Sequence, residues 1–152
     1  MNHAEQITDA TCEIFSSMVM LKVTAKEATK RTKPEFKNSI TGMVGLAGTV
    51  KGNLLIHLPA PVATSVTTAF LGMDVDCIDD DVCDAVGELA NMLAGAVKTA
   101  LDPSGSDIKL SMPSTVYGES YNLDCLNSGI SVLVPFNIEG AEFSVELQLI
   151  DG

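Results

Sequence analysis

The 152-residue sequence has no tryptophan, and aromatic residues of all kinds amount to 5% of it. Its core must therefore be built from Val, Leu, Ile, Ala and the seven Met, the last suited to adaptable packing. Basic residues are scarce as well: nine Lys and Arg stand against 20 Asp and Glu, for a net charge of −11. Nucleic-acid affinity needs a clustered basic surface, so no nucleic acid is expected as a partner, nor an anionic membrane. Only two histidines are present, His3 and His57. A Ser-His-Asp or Cys-His centre and a His-rich metal site are therefore excluded as leading readings. His3 falls in a terminus expected to fray, and His57 in a strand where it is expected to be packed. The four cysteines (Cys12, Cys77, Cys83 and Cys125) form no C-x-x-C pair, so neither a zinc knuckle nor a redox motif is indicated. The N-terminal "MNHAEQITDATCEIF" lacks a basic segment followed by an apolar one. No apolar run approaches the roughly 18 residues needed to cross a bilayer. The expectation is a cytoplasmic protein with free thiols and no membrane insertion.

Apolar residues make up 46% of the chain, and the length suits one domain, residues 1–152. Ile7, Ala10, Ile14, Met18 and Leu21 recur at helical spacing, which predicts a helix over 4–22. Residues 23–35 carry much of the positive charge and read as an exposed edge strand, a place where Pro34 is tolerated. Two extended runs over 39–58 flank Lys51-Gly52-Asn53, an expected hairpin turn. Gly42, Gly45 and Gly48 recur there without matching a phosphate-binding loop, so bends or close backbone approach are expected. A short helix follows over 60–72, and a long one over about 80–101, closed by Asp102-Pro103-Ser104-Gly105. Alternation then marks strands at Ile108–Met112, Ile130–Val134 and Phe143–Leu149, the last preceded by a turn at Glu139-Gly140. The fold class read from this order is α+β: a largely antiparallel sheet with long helices layered on it.

The segment "DVDCIDDDVCD" (74–84) is acidic but fails the calcium-loop spacing, since Ile78 and Asp79 occupy its fifth and sixth positions. Asp79, Asp80 and Asp81 instead suit the start of the long helix, where carboxylates accept from free N–H groups and complement the dipole. No metal site of the chain's own is read. On the long helix, Val82, Val86, Leu89, Leu93, Ala96, Val97 and Ala100 form an apolar stripe. Asp84, Glu88, Asn91, Gly95 and Lys98 gather on the opposite side. A solvated face would explain that side alone. Yet Asn competes with the backbone for hydrogen bonds in a helix interior, and Gly95 weakens an exposed helix. Gly95 would also clear space for an approaching partner. A Glu–Asn pair does little acid–base chemistry, but it suits positioning: an amide holds a water by donating and accepting, and a carboxylate pairs with a lysine.

Asp84-x-x-x-Glu88-x-x-Asn91, followed much later by Pro113, resembles the signature of the CheX/CheC/FliY family of chemotaxis phosphatases. Around it, "AVGELANMLAGAVKTAL" resembles that family's active-site helix. "GMVGLAGTVKGNLLIHLP" resembles its glycine-rich hairpin, and "SMPSTVYG" the segment that carries the proline. The similarity runs over about residues 39–150. The resemblance implies dephosphorylation of the phosphoaspartate of a CheY-like response-regulator receiver domain. It implies that Asn91 orients the attacking water, that Glu88 pairs with a lysine of the receiver, and that Mg²⁺ is supplied by the receiver. Asp84, Gly95 and Pro113 would contact the partner or orient the helix. The helix over 60–72 lacks Glu-x-x-Asn, so a single-site, CheX-type member and, by the same resemblance, a homodimer are expected. The alternatives are a receiver-binding adaptor without catalysis and a flagellar-switch-associated protein.

Overall fold

A computed structural model describes residues 2–105, 107–125 and 129–150. The chain begins with α1 (His3–Ile14), whose N-terminus is fixed by the Asn2 side chain accepting from the Glu5 N–H at 2.8 Å. His3 bonds Gln6 at 2.9 Å, so this end is held where fraying was expected. The expected single helix over 4–22 instead gives way to a π-helical turn, Phe15–Val19, ended by Met20 in the left-handed region. The hydroxyls of Ser16 and Ser17 both donate to the Glu13 carbonyl, a competition that disturbs helical turns. The turn shifts the apolar stripe by one residue. Phe15 and Val19 point inward, and Met18 is exposed.

The strands are β1 (Thr24–Ala25), β2 (Glu35–Gly48), β3 (Lys51–Pro59), β4 (Ile108–Leu110), β5 (Ser114–Asn122), β6 (Ile130–Ile138) and β7 (Ala141–Ile150). They form one sheet in the order β1-β6-β7-β3-β2-β4, with β5 also paired to β2, and every pairing is antiparallel. Between β3 and β4 lie α2 (Ala60–Leu71) and α3 (Asp80–Leu101). The α+β reading holds. Three details differ from expectation. Residues 23–35 contribute only the two-residue edge strand β1 and an isolated bridge at Thr29. The β2–β3 turn lies at Thr49–Val50, with Lys51, Gly52 and Asn53 already inside β3. The strand β5 was not foreseen, because Ser114, Gly118, Glu119 and Ser120 blur its alternation.

All three helices pack on one face of the sheet. Their apolar residues meet Ile40, Val44, Leu54, Ile56, Leu58, Val134, Phe136, Phe143, Val145 and Leu147. Phe15, Phe143 and Phe136 form a stack there, with ring centroids 4.9 and 5.3 Å apart. Three of the chain's five phenylalanines are thus spent in one column, which compensates for the absent tryptophan.

The opposite face is not simply solvated. Glu146 and Gln148 alternate with the apolar residues of β7 and so point away from the helices, yet Glu146 is fully buried and Gln148 nearly so. The segment before β2 folds across that face and buries Arg31, whose Nε donates to Glu146 at 2.9 Å. The remaining guanidinium N–H groups reach the carbonyls of Lys33, Leu123 and Asp124. His57 Nε2 lies 2.7 Å from the same Glu146 oxygen, and its Nδ1 lies 2.8 Å from Thr41 Oγ1, which is 2.8 Å from Tyr121 OH. Burial pushes the His57 imidazole below its usual range, so it is neutral. A carboxylate only accepts, so Nε2 donates to Glu146 and Nδ1 accepts from Thr41, which leaves Tyr121 to donate to Thr41. Burial pushes Glu146 upward, but the hydrogen bond from His57 and the charge of Arg31 outweigh it and hold the carboxyl below its usual range. The packed histidine expected at 57 is therefore one link in a buried polar chain.

Candidate active site

Asp79 is the residue before α3, and its carboxylate accepts from the Val82 N–H at 3.0 Å. Asp80 and Asp81 occupy the first turn, and Lys98 the last, an arrangement that complements the helix dipole. The helix ends at Asp102, whose carboxylate accepts from Ser104 Oγ and from the N–H groups of Gly105, Asp107 and Ile108. Burial pushes that carboxyl up, but these hydrogen bonds prevail and hold it below the usual range. Both ends of α3 are thus fixed by short-range hydrogen bonds.

The apolar stripe of α3 faces the sheet. Val82, Val86, Leu89, Leu93 and Val97 are buried as expected, although Ala100 is exposed. The helix sits low on β2 because position 42 is glycine: a Cβ there would lie 2.9 Å from Val86 Cγ1 and 3.2 Å from Ala90 Cβ. Asp84 and Glu88 are exposed on the other side, and Asn91 and Gly95 are half-exposed beyond them. Asn91 lies about 4.5 Å along the axis from Glu88, at 1.5 Å per residue. Among the described residues, none of the Asp84, Glu88 and Asn91 side chains makes a hydrogen bond or ion pair within the chain.

Pro113 reaches this helix through an interruption in the sheet. Both β4 and β5 pair with the same edge of β2, β4 against Leu46–Gly48 and β5 against Glu35–Met43. The link between them, Ser111–Pro113, is anchored at Gly45. The Ser111 N–H donates to the Gly45 carbonyl at 2.9 Å, and the Gly45 N–H donates to Ser111 Oγ at 2.7 Å. A Cβ at position 45 would come within 3.3 Å of that oxygen. All three glycines in β2 are thus used for close approach, as expected: Gly42 to the helix, Gly45 to this link and Gly48 to the Asp107 carbonyl. The link projects Met112 into solvent, 88% exposed, and turns Pro113 toward α3.

Asp84, Glu88 and Pro113 therefore converge, and with Cys83, Gly87 and Thr115 they line a notch of about 360 Å³. Asn91 and Gly95 are not part of its lining. They continue the same helix face, and a Cβ at Gly95 would meet nothing within 4 Å. Burial pushes the Cys83 thiol up, and the carboxylates of Asp80, Asp84 and Asp79 add to this against a hydrogen bond with Thr115. Cys83 is thus a protonated thiol at neutral pH, a poor nucleophile. Among the described residues, no three His, Cys, Asp or Glu side chains gather to hold a metal ion. No helix among them is long and apolar enough to cross a membrane.

The family described as chemotaxis phosphatase CheX matches residues 40–137, which include α2, α3, Pro113 and β5. The chain belongs to the CheX family. A CheY-P phosphatase CheX of Thermotoga maritima is 27% identical over 120 residues, covering 78% of this chain and 76% of that protein. The crystal structure of a CheX from Desulfovibrio desulfuricans superposes with a TM-score of 0.84 at 27% identity, covering 96% of this chain and 97% of the other. The CheX–CheY–BeF3–Mg²⁺ complex of Borrelia burgdorferi contains a chain with the same fold, with a TM-score of 0.83 at 23% identity and 99% of both chains covered.

Within this CheX-family fold, Asp84, Glu88 and Asn91 lie on the outward side of α3, and Pro113 is turned toward it. Cys83, Gly87 and Thr115 were not foreseen. Cys83 and Gly87 fall in neither the apolar stripe nor the polar group of α3, and Thr115 belongs to the strand that alternation missed. A second glycine in the helix interior was the one signal that could have pointed to the notch.

Proposed function

We propose that this chain hydrolyses the phosphoaspartate of a phosphorylated CheY-like receiver domain. The observation that carries the reading is the state of Glu88 and Asn91. Each is a polar side chain on one outward face of a well-anchored helix, and neither has a partner within the described chain. A side chain with all its hydrogen-bonding capacity free is available to a second protein.

The roles follow from the chemistry. Phosphoryl transfer asks for positioning and neutralisation of charge more than for covalent assistance. Asn91 enters the receiver's active site, and its amide, donor and acceptor at once, orients the water that attacks phosphorus. Glu88 pairs with the receiver's lysine and fixes the depth of insertion. Mg²⁺ belongs to the receiver and supplies charge neutralisation at the phosphoryl oxygens. Asp84 and Pro113 border the contact, and Gly95 leaves the helix bare one turn beyond Asn91. The relative named a CheY-P phosphatase and the fold neighbour crystallised with CheY, BeF3 and Mg²⁺ support the reading. We place the protein in the cytoplasm, where receivers act, as a homodimer.

The test mixes the purified protein with phosphorylated receiver domains and Mg²⁺ and follows loss of phosphate. Acceleration is expected, together with at least about 100-fold loss of turnover in Asn91→Ala. Binding that depends on phosphorylation without any acceleration would make the protein an adaptor. Unimpaired turnover by Asn91→Ala would remove the role given to the amide.

A further inference from the structure

Gly87 forms the floor of the notch beside Glu88. It lies in the interior of α3, where glycine is a poor helix former. Packing does not demand it. A Cβ at this position would lie 3.8 Å from Pro113 Cβ and 3.9 Å from Pro113 Cγ and Thr115 Cγ2, ordinary contact distances. The contrast is with Gly42, where the corresponding atom would come within 2.9 Å of Val86. Steric necessity explains the glycine at 42 and leaves the one at 87 unexplained. What any side chain at 87 would consume is room in the notch.

The composition of the notch indicates what that room holds. The atoms a Cβ at 87 would face across the notch are carbon: the Pro113 ring and the Thr115 methyl. Its rim carries two exposed carboxylates, Asp84 and Glu88, and neither is in an ion pair among the described residues. A wholly apolar occupant would cover these carboxylates without answering their charge. A lysine satisfies both parts, laying its methylene stem on the apolar floor while its ammonium reaches the rim.

We infer that Gly87 is a specificity-determining residue, whose bare backbone lets the stem of the receiver's lysine run past Pro113 and Thr115 to Glu88, with Asp84 as a second carboxylate for the ammonium. The inference rests on the receiver reading given above, and adds the route by which the lysine enters and the residue that keeps it open.

The test is a double-mutant cycle on binding. The Kd for a receiver activated with beryllofluoride and Mg²⁺ is measured for wild type, Gly87→Ala and Gly87→Leu. It is then repeated with a receiver whose lysine is replaced by alanine. With the unaltered receiver, Gly87→Ala should weaken binding about threefold and Gly87→Leu at least about thirtyfold, as expected for filling a fitted pocket. With the lysine-less receiver the three proteins should bind within about twofold of one another. Equal affinities for the unaltered receiver would overturn the proposal, as would a loss that persists in full without the lysine. Gly87→Ala fits the existing space and improves helix propensity, so it decides the matter even if Gly87→Leu fails to fold. Wild-type protein that binds without accelerating hydrolysis would end the phosphatase reading while the Gly87 ratios still judged the notch. Absence of binding to every receiver would remove both.

Discussion

Arg31 and Glu146 stand 115 residues apart in sequence and 2.9 Å apart in space, with both side chains buried on the face of the sheet away from the helices. Arg31 ties that carboxylate to three backbone carbonyls, at Lys33, Leu123 and Asp124. It thus joins the segment before β2 to the loop after β5. Arg31→Ala would leave Glu146 with a buried charge answered only by neutral donors, His57 Nε2 and Gln148 Nε2. We expect a loss of about 3–5 kcal/mol, the range for breaking a buried pair from one side. Urea denaturation measures it, and a loss below about 1 kcal/mol would show that water reaches Glu146 once the guanidinium is gone.

The pH dependence of stability follows from the same cluster. The folded carboxyl of Glu146 titrates below its ordinary range, as does that of Asp102. In the window between ordinary values near 4 and the lower folded ones, the unfolded chain binds more protons than the native chain. Stability contributed by these groups is therefore present above about pH 4.5 and lost as pH falls through the folded values. His57 adds to the trend at higher pH. Burial lowers its folded pKa, so the unfolded chain again takes up the proton first, from about pH 6.5 downward. The urea midpoint should fall steadily from pH 7.5 to 4. A flat profile between 7.5 and 5 would contradict the assignment of a neutral, buried His57.

Two hydroxyls test the cost of unmet hydrogen bonds. Thr11 and Thr67 are fully buried, and the Oγ1 of each has no hydrogen-bond partner among the described residues. Thr67→Val replaces that hydroxyl with a methyl of the same shape, and should raise stability by about 1 kcal/mol. Thermal or urea unfolding gives the answer, and a loss of stability would mean that a hidden partner, such as a buried water, satisfies the hydroxyl.

Gly42→Ala tests the contact that seats the site helix. The added carbon would meet Val86 and Ala90 at distances that real side chains avoid. Overpacking of this kind costs about 1–3 kcal/mol. Because α3 would lift as a body and carry Glu88 and Asn91 with it, dephosphorylation should also slow. Full stability together with full turnover would show that the helix yields locally.

Helices α2 and α3 were legible because local rules govern them. Asp79 at the start of α3, the glycine-ended α2 and the split of α3 into an apolar and a polar side depend on residues a few positions apart. The Glu139-Gly140 turn, with φ of 49° and 81°, is equally local. What escaped the sequence depends on distant segments. The burial of Glu146 is one such feature, because nothing in β7 announces that Arg31 will fold across it. Met18 looked internal until the two serines displaced the helical repeat. The strand β5 was obscure because it is an edge strand, where neither side need be uniformly apolar. Gly87 drew no reading from the sequence, since its meaning lies in Pro113 and Thr115, across the site from it.

The central position of β7 has a consequence for how the chain is made. β3 is flanked by β2 on one side and by β7 on the other. During synthesis the first neighbour is available at once, but the second is absent until residues 141–150 have emerged. Until then an apolar strand with an unpaired edge waits beside a helical layer it cannot yet close, a state open to wrong pairings. Pairing across such separations is slow to form. Folding of this chain should therefore complete late and in one step, with the insertion of β7 joining the β2–β3 hairpin to β6.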